Sequence, residues 1–207
     1  MPARARGAPL RADFYDRPVL EVARDLIGCT VACGRCAGVI VETEAYHETE
    51  PACHAYVGLT PRTKTLFGPP GFAYVYRSYG VHALLNAVCE PEGVGAAVLI
   101  RALQPVRGLA AMRARRGLVA GLPARDRDLC SGPGKLSQAL AIDLSHNEGP
   151  LDAGPVRILA PDQRWLGRAT PEILAGRRVG INRAEQLPWR FCLAGSPHVS
   201  SPRVPVG

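Results

Sequence analysis

The sequence predicts a single mixed α+β domain. Three observations carry this. Helix-periodic and strand-periodic segments alternate along the chain, with no internal repeat and no interdomain linker. The 207 residues give room for one sizeable core. A hydrophobic fraction of 47% suits a folded globular chain.

Asp16-Arg17-Pro18 reads as a helix start, a capping residue followed by Pro in the first turn. Val19, Val22, Ala23, Leu26 and Ile27 then recur at helical spacing until Gly28 ends the helix. A hairpin follows, from about Cys29 to Cys33 and from Ala37 to Tyr46, with Gly34-Arg35 as its two-residue turn. A polar loop runs from His47 to Thr65, and Phe67-Gly68-Pro69-Pro70-Gly71 makes a sharp turn. Strands are expected over Ala73–Tyr79 and Val81–Cys89, with a bend at Gly80, and over the apolar stretch Gly95–Leu103. Pro105 is expected to open a helix through Met112 to about Arg116. The loop Cys130 to Lys135 leads into a helix ending near Ala141. Short strands are expected at Val156–Leu159, Arg178–Ile181 and Trp189–Leu193. Residues 1–12, rich in Arg, Ala and Pro, read as a mobile basic tail, with a short organellar transit segment as the lesser reading.

The formal charge of +7 and the pI near 9.3 favour a polyanionic partner. The cations are 23 Arg and only two Lys, Lys64 and Lys135. Arginine grips phosphate with a planar fork and stacks on bases. Nothing resembles a secretory signal or a membrane span, so no membrane partner is expected. Seven scattered cysteines, an odd number, read as reduced thiols. With no signal segment recognised, they point to a cytosolic or nuclear setting. Cys29, Cys33 and Cys36 suggest zinc, but no second CxxC or CxxH completes a site. Cys33 and Cys36 fit better as opposed residues of a hairpin, and no metal or cofactor is expected.

Chemistry concentrates in Val41-Glu42-Thr43-Glu44-Ala45-Tyr46. Alternate side chains of a strand share a face, so Glu42, Glu44 and Tyr46 point into one space. A carboxylate there can activate water beside a stacked planar substrate. Tyr74 and Tyr76 share a face of the next strand, where they either stack on a ligand or fill core. Arg101 ends the apolar run Val98-Leu99-Ile100 and needs an anion, Glu44 or a phosphate. Ser131-Gly132-Pro133-Gly134-Lys135 suits an anion before a helix N-terminus but is no Walker A loop, because Leu129 and Leu136 stand where Gly and Ser or Thr are required.

The order of these strings is more informative than any one of them. Glu44-Ala45-Tyr46, His54, Thr60-Pro61-Arg62, Tyr74-Val75-Tyr76-Arg77-Ser78-Tyr79-Gly80, Asn86, Arg101-Ala102-Leu103, the Cys130–Lys135 loop and Gly195-Ser196-Pro197 follow in succession. This succession resembles the alkyladenine (3-methyladenine, N-methylpurine) DNA glycosylase family from about Phe14 to Ser201. The resemblance implies a curved, mainly antiparallel sheet flanked by helices, with a protruding β-hairpin carrying a DNA-intercalating tyrosine. It implies a basic tail over 1–12 and one glycosylase domain over 13–207.

It further implies a monofunctional enzyme of base excision repair that leaves an abasic site. The expected partner is duplex DNA holding damaged purines: 3-methyladenine, 7-methylguanine, hypoxanthine or ethenoadenine. A monomer without cofactor is expected. By position, Glu44 would be the general base, and Arg101 with the Val199 carbonyl would hold the attacking water. Tyr46, His54, Tyr76 and Asn86 would form the base pocket, and Tyr79 would wedge into the duplex. Arg62, Ser131 and Lys135 would lie near phosphates. The stretch His47–Cys53 is slightly shorter than the family pattern and sets Cys53 beside His54. The rival readings are a damaged-DNA-binding module without catalysis and, more distantly, a tRNA-binding domain or a zinc or redox protein.

Overall fold

The computed structural model describes residues 7–118, 126–162 and 172–204. Their elements, in chain order, are α1 (Ala12–Tyr15), α2 (Val19–Asp25), β1 (Thr30–Cys33), β2 (Cys36–His47), β3 (Ala73–Ser78), β4 (His82–Val88), β5 (Ala96–Arg107), α3 (Leu109–Arg115), α4 (Pro133–Leu140), β6 (Val156–Leu159), β7 (Ile173–Gly176) and β8 (Arg190–Leu193). Among the described residues no helix is long and apolar enough to cross a membrane.

The α+β expectation holds. The strands form one antiparallel sheet in the order β3-β4-β5-β2-β1-β6, and β8 adds to β2 while β7 adds to β8. Strand β2 is its axis. One edge pairs with β5 along nearly its whole length. The other edge pairs with β1 up to Val39 and with β8 over Glu42 to Glu44. The two carboxylates therefore lie mid-sheet, with no exposed surface. Alternation sends Thr43 the other way, where its hydroxyl donates to the Ala23 carbonyl of α2 at 2.7 Å. Helix α2 buries Val19, Val22 and Ala23 against that face. Each large apolar side chain so buried contributes about 1.5–3 kcal/mol.

Register along β2 and β5 is broken where the site lies. Pairing steps from Ile40–Leu103 to Glu42–Ala102 and then to Thr43–Ile100, so Val41 and Arg101 are stepped over. Such irregularities bend a sheet and re-aim side chains. Here Arg101 turns toward both glutamates.

Several elements depart from expectation. Pro105 opens no helix: β5 runs through it to Arg107, and α3 begins only after Gly108, whose φ is +79°. A second register shift, between Ala37 and Gly38, lies opposite Pro105, where a missing N–H is tolerated. The strand expected at Arg178–Ile181 does not form; β7 lies just before it and pairs with β8. An unforeseen turn of helix, α1, uses Asp16 as its C-terminal cap, and Pro18 caps α2 without a side-chain bond. The Gly34-Arg35 turn forms as expected, with Cys33 opposite Cys36. Of the supposed basic tail, residues 1–6 lie outside the described residues, whereas Ala8 and Leu10 hydrogen-bond to residues 160 and 158 beside β6.

Candidate active site

Eight residues singled out in the sequence border one cavity of about 800 Å³: Tyr46, His54, Arg62, Tyr74, Tyr76, Tyr79, Asn86 and Arg101. Tyr46 comes from the end of β2, Tyr76 from β3, Asn86 from β4 and Arg101 from β5. His54 begins a short 3₁₀ turn in the polar loop. Its ring meets Tyr76 edge-on with centroids 4.6 Å apart, and its Nδ1 lies 3.0 Å from the Tyr74 hydroxyl. Tyr74 and Tyr76 stack at 5.4 Å and both border the cavity. Burial and the nearby Arg62 hold the His54 imidazole below its ordinary pKa, which keeps it neutral at pH 7. The Asn86 amide nitrogen donates to the carbonyls of Tyr74 and Leu84 at 3.0 and 3.3 Å, so this side chain is fixed by the β3–β4 ladder.

Glu44 lies behind Tyr46 and Arg101. Its Oε2 accepts from the Tyr46 hydroxyl at 2.8 Å, and its Oε1 accepts from the Val179 amide at 2.7 Å. Arg101 Nη1 is 3.3 Å from the same Oε1. Three donors thus face a carboxylate that offers about four acceptor sites, and Glu44 itself does not border the cavity. Burial pushes the Glu44 pKa up; Arg101, the Val179 N–H and Tyr46 offset this only in part. Glu42 behaves oppositely. Burial would raise it too, but Arg101, Arg190 and two hydrogen bonds from Ser200 together hold it below the usual carboxylate range. Arg101 Nε donates to Glu42 at 2.9 Å and Arg190 Nε at 2.7 Å. The Ser200 amide and hydroxyl donate at 2.6 and 2.8 Å. Two carboxylates on one strand face thus divide into a saturated structural anion and a destabilised, more basic one.

A second, polar cleft of about 430 Å³ is lined by Arg101, Ser131, Lys135, Val199 and Arg203 among others. Val199 therefore meets Arg101 from this side and does not border the aromatic cavity. Ser131 is brought beside β5 by a backbone bridge to Ala102, and Gly132-Pro133 opens α4 there. Arg101 is the wall common to both spaces. Tyr79 is not in a strand, contrary to expectation. Ser78 pairs with His82, and Tyr79 sits in the connecting turn with φ +49° and 92% exposure. A Cβ at Gly134 would come within 2.7 Å of the His82 ring, so α4 packs closely against the turn end of that hairpin.

The sequence reading missed Arg190, Ser200, Glu50 and Arg178. Arg190 could have been found by the logic applied to Arg101, a cation heading an apolar strand that must have an anion. Ser200, Glu50 and Arg178 carry no local signal, because their partners are 128 to 158 residues away or fixed by loop folding. Among the described residues no group of three or more His, Cys, Asp or Glu is arranged to hold a metal ion.

A family model described as methylpurine-DNA glycosylase matches residues 13–197, a span that includes every residue of the cavity. A protein of Rhodopseudomonas palustris (strain HaA2) named "Putative 3-methyladenine DNA glycosylase" is 56% identical over 198 residues, or 96% of this chain and 93% of its own. Relatives of the same name come from Nitrobacter winogradskyi, at 52% over 95% of this chain and 89% of theirs, and Rubrobacter xylanophilus, at 49% over 86% and 90%. These matches place the molecule among the DNA glycosylases, hydrolases of the N-glycosidic bond, whose substrate is damaged DNA. More narrowly, the chain belongs to the methylpurine-DNA glycosylase family.

Proposed function

We propose that this glycosylase flips damaged purines out of duplex DNA into the aromatic cavity and hydrolyses their glycosidic bond with a water activated by Glu44. The observation that carries the reading is the buried Glu44 carboxylate, of raised basicity, hydrogen-bonded to Tyr46 and paired with Arg101, the two side chains that separate it from the cavity. Extrusion of a base costs a few kcal/mol. Stacking on aromatic rings returns roughly 1–3 kcal/mol. As the purine departs with the bonding pair, C1′ becomes oxocarbenium-like. The water oxygen bonds to C1′, its proton passes to Glu44, and an abasic site remains. A purine methylated at N3 or N7 already carries the positive charge that the departing pair neutralises, so 3-methyladenine and 7-methylguanine need no further proton. Hypoxanthine and ethenoadenine fit the same planar slot and require protonation in addition. A substrate held by this chain as a monomer, with phosphates near Arg62, Ser131 and Lys135, completes the reading.

The test is incubation with duplex oligonucleotides carrying a single 7-methylguanine, hypoxanthine or ethenoadenine. Abasic sites are the expected product. Tight lesion binding with no release from any of them would leave a recognition module. The exposed Tyr79 gives a second prediction. Tyr79→Ala should lower single-turnover excision from duplex DNA about tenfold, the stacking of one ring. The thermal midpoint should stay unchanged, because surface substitutions shift stability by only about 0.5 kcal/mol. A large fall in midpoint would make Tyr79 a packing residue instead.

A further inference from the structure

Arg178 is buried, yet it stands apart from the Glu42 cluster and does not border the aromatic cavity. Its guanidinium carbon lies 4.7 Å from the Tyr46 ring centroid and 5.4 Å from that of Trp189. Nη1 and Nη2 donate to the two Glu50 oxygens at 2.6 and 2.8 Å, a two-pronged pairing that fixes the plane of the group. Nη1 also donates to the Ala45 carbonyl at 3.0 Å. Strand β8 pairs with β2 only over Glu42 to Glu44, so Arg178 caps the edge of β2 that β8 leaves. The next residue, Val179, sends its amide to Glu44.

On the reading in which Tyr46 is the base platform and Glu44 the general base, we propose that Arg178, locked by Glu50, is a positioning residue that holds the Tyr46 ring and the Glu44 carboxylate as one rigid unit. Tyr46 lies one residue before the end of β2, where a strand alone restrains a side chain least. A planar cation clamped behind the ring removes that freedom. The same two-residue segment reaches the platform through a side chain and the base through a backbone amide, so neither can move without the other. Displacement of a reacting group by about 1 Å can cost 10²-fold in rate. DNA affinity, set by phosphate contacts elsewhere, does not depend on this unit.

Glu44 is faced by Arg101 from β5, by Glu42 and Tyr46 from β2, by Tyr76 from β3, by Cys192 from β8, and by Arg178 and the Val179 N–H from the segment after β7. Loosening that last segment withdraws groups that favour the carboxylate, so the acid limb of activity should move to higher pH.

Two variants test this on an ethenoadenine duplex. The double variant Glu50→Gln/Arg178→Met removes both charges and leaves neither buried alone. Arg178→Lys keeps the charge and loses the fork. Expected for both is a wild-type affinity for the lesion duplex, single-turnover excision lowered about 10- to 10²-fold, and an acid limb shifted upward. A folded variant with the wild-type rate and pH profile would overturn the proposal, as would a loss of affinity equal to the loss of rate. If the double variant does not fold, the Arg178→Lys measurements decide. Glu44→Gln and wild type run alongside, on 7-methylguanine and hypoxanthine duplexes as well: no release by wild type from any of the three fails the reading of the site and the proposal with it. Release by wild type, with none by Glu44→Gln and full activity in the Arg178 variants, fails the positioning role alone.

Discussion

Glu44→Gln is expected to bind lesion-bearing duplex as the wild type does and to excise about 10²–10⁴-fold more slowly, the usual contribution of a positioned general base. Glutamine fills the same volume and can still accept from the Val179 amide, but it cannot take a proton from water. The fold should not suffer. Burial places the folded pKa of Glu44 above its unfolded value, so ionised Glu44 opposes folding at neutral pH, and that cost is relieved as pH falls from the folded value to below the unfolded one. A neutral amide removes the cost at every pH, and the thermal midpoint should stay or rise. The wild-type rate, in turn, should fall as pH drops through that raised value, and the residual rate of the variant should lack this limb. Single-turnover kinetics across pH, with thermal melts beside them, check all three expectations. A variant that excises at the wild-type rate would remove Glu44 from the chemistry.

What could be read from the sequence was what local periodicity encodes. The two-residue period of Glu42, Glu44 and Tyr46 placed all three on one face, and the structure has both glutamates meeting Arg101. The helical spacing from Val19 to Ile27 and the Gly34-Arg35 turn were equally local. Non-local geometry was hidden. Arg101 reaches its carboxylates because the β2–β5 register steps over it, and nothing near residue 101 announces that irregularity. Pro105 was misread because a proline's effect depends on the strand opposite, here one with a register shift at Gly38. Arg178 looked like the start of a strand, whereas its partners Glu50 and Tyr46 lie more than a hundred residues earlier. The division of labour between Glu42 and Glu44 was also illegible. It depends on Arg190 and Ser200, which arrive from the last quarter of the chain.

That division makes the same substitution two residues earlier do the opposite. Glu42→Gln is expected to destabilise the fold by about 3–5 kcal/mol, the cost of removing one partner from a buried ionic cluster. For a chain of this size that is a fall of about 6–20 °C in the thermal midpoint. Glu42 receives Arg101, Arg190 and both donors of Ser200, and all of these groups are buried. Glutamine supplies one acceptor oxygen and turns a second donor toward groups that are already donors, so two guanidinium ions lose their shared counter-charge. The pH dependence carries the opposite sign to that of Glu44. The folded pKa of Glu42 lies below its unfolded value, so its stabilisation is complete above the unfolded value and is lost as pH falls through the folded one. Wild type should therefore lose stability toward acid more steeply than the Gln variant, and the two melting curves should converge at low pH. Activity of Glu42→Gln measured well below its midpoint should fall less than that of Glu44→Gln, because Arg101 still has Glu44 beside it. A midpoint within 2 °C of wild type, a shift of less than about 1 kcal/mol, would mean that the two arginines find their anion elsewhere and that Glu42 is not the centre of the cluster.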